Sequence, residues 1–374
     1  MRPSNVYRLG LKELKSLRYD PVMVFLIIYA FTFSILAPAK GVKLELENAS
    51  VAIIDEDQSQ LSRRLSDGLR EPDFQPPVAI GIEELDAAMD AGRYTFVVDI
   101  PPRFQADLAK GLTPTLQVNV DATAMTQAGA GARFLQSELA QEASAFLARH
   151  EVPEEQPVGA VTRLLFNPNG NSAWFMSVMQ IVNMCTLLGI LLTGAALIRE
   201  REHGTIEHLL VMPLTALDIM LAKVWANVLV ILVGATLALL LVVHGILGAP
   251  IAGSVPLFVL GLAVYLFALT ALGILLATIA RTMPQFGLLS IPVFLVLYML
   301  SGANTPLDSM PEILQRIMLV SPTTHFVAFS QSLIFRGAGI GILWPQVLAT
   351  GVIGLAAFLA ALARFRQTVS LSRL

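Results

Sequence analysis

Residue types that commonly support enzyme chemistry are present but scattered along the chain. The histidines occupy positions 150, 203, 208, 244 and 325, and none has the H-E-x-x-H or H-x-x-E-H neighbourhood that binds zinc. Three carboxylates occur together at residues 55–57. Acids at a strand end just before a helix are typical helix caps, and no calcium-loop spacing follows them. We therefore expect neither a metal site nor an enzyme active site.

Nucleotide binding through the usual phosphate loop is excluded as well. The sequence contains no G-x-x-x-x-G-K-[S/T] motif, and the glycine-rich stretch AGAGARF at 128–134 has no lysine. The single cysteine, Cys185, cannot form an internal disulfide. We expect this chain to bind no cofactor of its own.

Long runs without Asp, Glu, Lys or Arg dominate the chain, of which 55% is hydrophobic and only 14% charged. About 20 apolar helical residues are enough to cross a bilayer core. The run 224–280 is too long for one helix and is broken by proline and glycine at 248–256, so it predicts two spans. The sequence thus predicts an α-helical membrane protein with six transmembrane helices. Their predicted positions are 21–38, 173–198, 219–246, 256–280, 285–302 and 342–363.

The positions of Lys and Arg near the span ends predict the orientation, because short cytoplasmic loops carry an excess of them. With the N-terminus inside, the short outer loops hold only Arg316 and Arg336. Both termini are therefore predicted to be cytoplasmic. Residues 301–339 are too apolar for a solvent loop and too rich in proline for a span, so we expect short helices that dip into the outer leaflet.

Residues 40–170 interrupt the apolar pattern with 20 Asp/Glu and 11 Lys/Arg. A long domain of this kind crosses the membrane largely regardless of its charge. Strand-like runs at 51–54, 94–100 and 115–120 are each followed by a helical pattern. This alternation predicts an α/β extracytoplasmic domain with a largely parallel sheet, inserted between the first and second spans.

The leader before the first span, residues 1–20, has the pattern of an amphipathic helix. We expect its apolar residues to lie in the inner leaflet and its cations to lie near anionic lipid head groups. A solvated helix start is the alternative. The apolar residues are Val6, Leu9, Leu14 and Leu17, and the cations are Arg8, Lys12, Lys15 and Arg18.

The densest charge lies at 199–214, in the sequence REREHGTIEHLLVMPL. Gly204 can interrupt the helix that leaves the second span, Thr205 can cap a new one, and Pro213 can end it. The new helix would present Ile206, Leu209 and Leu210 on one face. A rim of polar residues surrounds that face: Glu200, Glu202, His203, Glu207 and His208. The segment therefore predicts a docking helix for a protein partner, and an interfacial helix resting on lipid is the alternative.

Among the side chains in the central parts of the predicted spans, Asn183 is the most polar, and these central parts carry no ionisable side chain. Intramembrane asparagines commonly join helices, and a contact with substrate is the alternative for Asn183. Because self-powered transporters use buried ionisable residues, we expect chemical energy to arrive from another protein.

The pattern E-R-E-H-G-T-I-E-H-L-L-V-M-P-L, followed by L-A-K-V-W, resembles the cytoplasmic signature of ABC-2-type transporter permeases, and in particular their YhhJ-like subfamily of multidrug exporter permeases. The leader, the outer domain, the FNPN turn at 166–169 and S-P-T-T-H-F at 321–326 extend the resemblance over the whole chain. It implies that residues 200–214 form a coupling helix, which seats in a separate ATP-binding cassette ATPase subunit that holds ATP and Mg. The coupling residues would be Glu200, Glu202, His203, Gly204, Thr205, Ile206, Glu207, Leu209, Leu210 and Pro213. It also implies that residues 1–20 form the connecting helix, carrying Arg8, Lys12, Lys15 and Arg18.

The resemblance further implies an assembly in the inner membrane. Residues 21–39 would be the first span and residues 171–374 the remaining bundle. The implied partners are a second permease, either identical or related, and a periplasmic membrane-fusion adaptor that contacts residues 40–170. We expect an exporter subunit for drug-like or amphipathic substrates, surrounded by lipid and without a nucleic-acid partner. The alternatives are a receptor or assembly scaffold and, third, a self-powered secondary transporter.

Overall fold

The computed structural model describes residues 3–41, 49–69, 73–91, 93–121, 125–149, 172–202, 215–303, 307 and 310–371. Two compact units divide the chain: Met1–Gly41 with Ala173–Leu374, and Val42–Ser172. We call the first the bundle and the second the sheet unit.

The described helices and strands are numbered in chain order. The helices are α1 Pro3–Tyr19, α2 Pro21–Phe31, α3 Phe33–Gly41, α4 Gln60–Gly68, α5 Leu85–Asp90, α6 Phe104–Ala109, α7 Met125–Arg149, α8 Ser172–Glu202, α9 Ala216–Leu237, α10 Val255–Ile279, α11 Met283–Leu300, α12 Glu312–Met318, α13 Pro322–Ile334 and α14 Ile340–Leu371. The strands are β1 Val51–Asp55, β2 Val78–Ala79, β3 Phe96–Ile100 and β4 Gln117–Val120. A π-helical stretch, Ala238–Ile246, continues α9.

Six helical stretches in the described part of the bundle are long and apolar enough to cross a membrane. They are Pro21–Lys40, Ser172–Glu202, Ala216–Ile246, Val255–Ile279, Met283–Leu300 and Ile340–Gln367. The six predicted helices are thereby confirmed, with ends that move by a few residues. The difference between predicted and observed helix ends matters most at α8, which continues past the predicted end at 198 to Glu202. The last turn of that helix therefore carries charged residues.

The N-terminal leader and the first span are separate helices because Asp20 caps the second of them. Its backbone is extended, and its Oδ1 accepts hydrogen bonds from the amides of Val22 and Met23, each at 3.2 Å. Pro21 occupies the first turn, where its missing N–H is not needed. The chain can therefore change direction at Asp20 without leaving amides of the first turn unpaired.

Two short helices, α12 and α13, follow the fifth span, as the sequence pattern of residues 301–339 predicted. They are bent by 89° relative to each other. The Tyr265 hydroxyl on α10 lies 2.6 Å from Thr186 Oγ1 on α8 and donates to Thr323 Oγ1 on α13 at 3.1 Å. The Tyr265 ring also stacks on Phe326, with centroids 4.2 Å apart. This buried contact fixes α13 to two long helices of the bundle.

The sheet unit contains four strands in the order β2-β1-β3-β4. Strand β1 is parallel to β2 and β3, whereas β4 is antiparallel to β3. One sheet face, which includes Ile53 and Val98, packs in a core with Leu61 of α4 and Leu135 of α7. Alternation along the strands sends their other side chains to the opposite face.

The three acids at 55–57 stand where β1 ends, with Asp55 as its last residue and the other two at the start of the loop to α4. The carboxylate of Asp55 accepts hydrogen bonds from the amides of Asp57 and Gln58 and from the Ser62 hydroxyl. Asp57 Oδ2 accepts from the amide of Gln105. These acids thus join the loop after β1 to the helices that follow β1 and β3.

Candidate functional site

Of the ten predicted coupling residues, the structure describes Glu200 and Glu202, both in the last turn of α8. The other eight lie outside the described residues: His203, Gly204, Thr205, Ile206, Glu207, Leu209, Leu210 and Pro213. Two described helices therefore bracket the segment 203–214, with α8 before it and α9 after it. The geometry of those two helix ends defines the candidate site.

The start of α9 is set by a reciprocal cap between Thr215 and Asp218. Thr215 Oγ1 accepts from the amide of Asp218 at 3.2 Å, and Asp218 Oδ2 accepts from the amide and the hydroxyl of Thr215 at 3.0 and 2.7 Å. Such a capping box satisfies donors that the first helical turn leaves free. This cap was not among the predicted features, although the T-x-x-D pattern before an apolar run is a signal for it.

A buried ion triad joins three helices near these ends. The Lys223 ammonium on α9 lies 3.0 Å from Glu13 Oε1 on α1 and 2.9 Å from Glu200 Oε2 on α8. The Lys223 side chain is 1% exposed, and the two glutamates are 13% and 14% exposed. Removing the lysine would leave two carboxylates without their shared cation where water hardly reaches, a change that costs about 3–5 kcal/mol for comparable buried pairs. We call Glu13, Glu200 and Lys223 the triad.

Helix α1 packs along α9 through an aromatic contact. The indole of Trp225 donates to the carbonyl of Val6 at 3.2 Å and stacks on the ring of Tyr7, with centroids 6.1 Å apart and planes at 5°. Leu9 packs against the buried core of the bundle. Gly10 lies against the same indole, so closely that an added Cβ would overlap the ring.

This packing corrects the prediction for Leu9, one of the residues of the apolar face of α1 that was expected to lie in lipid. The leader was correctly predicted to be helical, but Leu9 contacts the bundle because the indole of Trp225 and the missing side chain at Gly10 let the helices approach closely. The four predicted cations are exposed: Arg8, Lys12, Lys15 and Arg18. The amphipathic pattern identified the faces of the helix but not their neighbours.

The last turn of α8 also contacts the neighbouring helix ends. Arg199 Nη1 lies 3.3 Å from Asp20 Oδ2, the carboxylate that caps α2. Arg201 donates to the carbonyl of Ala280 at 3.1 Å, and the amide of Met283 donates to Glu202 Oε1 at 2.8 Å. A movement of this turn would therefore act on α1, α2, α9 and the junction between α10 and α11.

A small cleft lies beside the triad. Its polar lining comes from Glu13, Ser16, Asp20, Arg199 and Asn227, and its apolar lining from Leu17, Leu192 and Ala196. Two carboxylates and one guanidinium thus border the same space between α1 and α8.

Asn183, the predicted intramembrane contact, is buried in α8 and only 2% exposed. Its Oδ1 has no hydrogen-bond partner in the described part of the chain. Asn183 is also absent from the lining of the cleft beside the triad. Within the described residues this oxygen therefore makes no interhelical hydrogen bond, and a contact of Asn183 with substrate stays a prediction.

The chain has relatives along almost its whole length. The sequence model of a family described as ABC-2 family transporter protein matches residues 21–363. The inner membrane transport permease YhhJ of Escherichia coli K12 is 52% identical over 365 residues, which cover 98% of each chain. The probable multidrug ABC transporter permease YbhR of the same organism is 28% identical over 366 residues, covering 96% of this chain and 97% of YbhR.

Proposed function

Since this chain belongs to the ABC-2 family of transporter proteins, we propose that it is the permease subunit of an exporter driven by ATP hydrolysis on a separate subunit. The chain is a multi-pass inner membrane transport permease. In the proposed arrangement both termini are cytoplasmic, and residues 40–170 form an α/β domain outside the cytoplasm. The drug-like or amphipathic character of the cargo is supported by the similarity to YbhR, a probable multidrug ABC transporter permease.

The observation that carries the proposal is the connection between the two helices that bracket residues 203–214. Lys223 of α9 pairs with Glu200 of α8 at 2.9 Å, so the pair joins the helix that leads into that segment to the helix that follows it. A partner that pushes on the segment would therefore move two membrane-spanning helices together. This is the arrangement that a coupling segment requires.

In the proposed mechanism, the apolar residues Ile206, Leu209 and Leu210 seat in a groove of the ATPase subunit. Closure of paired ATPase subunits around ATP and Mg displaces the segment, and α8 and α9 carry the displacement into the bundle as rigid elements. A second permease, identical or related, supplies the other half of the pathway. A periplasmic adaptor of the membrane-fusion type binds residues 40–170.

The proposal is tested by affinity purification of the chain from native membranes, with identification and assay of any ATPase that accompanies it. We expect a stoichiometric P-loop ATPase to be recovered with the wild-type chain and to be lost with Ile206→Asp. A charge within an apolar contact is strongly unfavourable, whereas Ile206→Leu keeps the side chain apolar and serves as the matched control.

Two results would count against this function. One is recovery of the intact wild-type chain without any ATPase, which would favour a receptor or assembly scaffold. The other is normal ATPase recovery and normal export by Ile206→Asp at wild-type abundance, which would remove the docking role from this segment.

A further inference from the structure

We propose that Glu13 and Lys223 are positioning residues for energy coupling, because they fasten α1 to the pair of helices that a partner ATPase would displace. The inference rests on the proposed function and deepens it. It assigns to α1 the role of a third moving element, which packs along α9 and is linked to α8 through one shared ammonium group.

The triad has the geometry of a brace between helices. Lys223 lies seven residues after the start of α9, which corresponds to about 10 Å along the helix axis. Glu200 lies two residues before the end of α8. The contact between them therefore joins the two helices away from residues 203–214 themselves. Glu13, which is 210 residues from Lys223 in the chain, adds α1 to the same contact.

The chemistry of the triad favours a geometric role over a purely stabilising one. Desolvation of buried charges offsets most of their attraction, so apolar side chains of similar size would stabilise the helices about as well. An ammonium between two carboxylates differs from an apolar contact because it demands particular distances and directions. Its three helices must keep their relative positions for both ion pairs to persist.

The surroundings of Glu13 concentrate the connection at this point. Along α9, α1 is held by the stacked rings of Tyr7 and Trp225. Towards α8, a small cleft borders α1, and Glu13 is part of its lining together with the apolar side chains of Leu17, Leu192 and Ala196. The shared ammonium of Lys223 therefore bridges α1 and α8 beside this cleft.

Glu13→Leu is the variant of choice because it removes the attachment of α1 and leaves the pair of Lys223 with Glu200 intact and balanced. Glu13→Gln keeps a side chain of the same shape that can accept a hydrogen bond from the ammonium. Glu312→Gln is the matched control, because Glu312 is an exposed bundle carboxylate, 82% accessible, whose ion pair with Arg316 lies at the surface.

The first measurement uses the chain alone and needs no partner. With Trp174 and Trp344 replaced by phenylalanine, Trp225 remains as the only tryptophan of the three and reports the docking of α1. We expect acrylamide to quench Trp225 more strongly in Glu13→Leu, approaching the value for Gly10→Leu, in which overlap with the indole displaces α1. Wild-type quenching in Glu13→Leu would overturn the attachment itself.

The second measurement uses the chain with its co-purified ATPase. Spin labels on Ser4→Cys of α1 and Leu229→Cys of α9, in a Cys185→Ala background, report the distance between the two helices by pulsed electron paramagnetic resonance. In the wild type we expect one narrow distribution of the distance between the two labels, both without nucleotide and with ATP and vanadate. In Glu13→Leu we expect the nucleotide-bound distribution to broaden while ATPase recovery stays at the wild-type level, with partial rescue by Glu13→Gln.

Identical distributions in Glu13→Leu and the wild type with ATP and vanadate would overturn the role in coupling. Failure of the proposed function gives a different result, namely no ATPase with the wild-type chain. In that case Trp225 quenching still decides whether Glu13 holds α1 in place, and the coupling role falls together with the proposed function.

Discussion

Replacement of Gly10 by alanine tests the packing of α1 against α9 through the sign of a stability change. In an exposed helix, Gly→Ala stabilises by about 1 kcal/mol because alanine is the better helix former. At Gly10, however, a Cβ would overlap the indole of Trp225. We therefore expect Gly10→Ala to destabilise the bundle.

The magnitude follows from the two ways in which the helices can accommodate the methyl group. If the indole stays, overpacking costs about 1–3 kcal/mol. If the indole moves, its hydrogen bond to Val6 and its stacking on Tyr7 are lost, together worth about 2 kcal/mol. Subtracting about 1 kcal/mol for the better helix former leaves a net destabilisation of about 1 kcal/mol, with an upper limit of about 2 kcal/mol.

The assay is equilibrium unfolding in mixed detergent micelles, followed by tryptophan fluorescence. Two controls isolate the contact with the indole. In a Trp225→Ala background the overlap is absent, so Gly10→Ala should become neutral or stabilising. Gly287→Ala on α11 adds a methyl group that meets nothing within 4 Å, so it should not destabilise. The reasoning would be refuted if Gly10→Ala raised stability in the presence of Trp225 as it does without it.

Two further predictions concern polar groups inside the bundle. Tyr265→Phe keeps the stacking on Phe326 but removes the hydroxyl between Thr186 and Thr323. We therefore expect the free energy of unfolding to fall by about 1–3 kcal/mol in the same assay. An unchanged unfolding midpoint would contradict the bridging role. Asn183→Leu removes a buried amide whose Oδ1 lacks a partner, so we expect stability to be unchanged or to rise by about 1 kcal/mol. A marked loss of stability in Asn183→Leu would refute that account, and lost transport at full stability would place Asn183 on the substrate pathway.

The membrane-spanning helices could be predicted because each depends on a local property of the chain. A run of apolar residues long enough to cross the bilayer is visible without any tertiary contact, and all six were located to within a few residues. The short helices after the fifth span were predictable for a similar reason. Their prolines end or begin helices locally, as Pro322 does at the start of α13.

Contacts between distant residues were not predictable from the sequence in the same way. Lys223 stands near the cytoplasmic end of a predicted span, where the sequence marks it only as a cation, although its side chain is buried between two carboxylates. Leu9 was expected in lipid, but the close approach of α1 and α9 at Gly10 gives it a protein neighbour. Each of these environments depends on which helices become adjacent, and periodicity along one helix carries no information about that.

The sequence by itself determined the class of the protein, the number of spans and the residues expected to meet a partner, because hydrophobic run length and short motifs are local properties. The tertiary structure decided how those parts are connected. It brought Glu13, Glu200 and Lys223 from three separate segments into one buried site. Burial of an isolated charge is too costly, so a charged residue carries no local sequence signal that it will be buried. Only the assembled bundle can offer such a residue partners that offset the cost of leaving water.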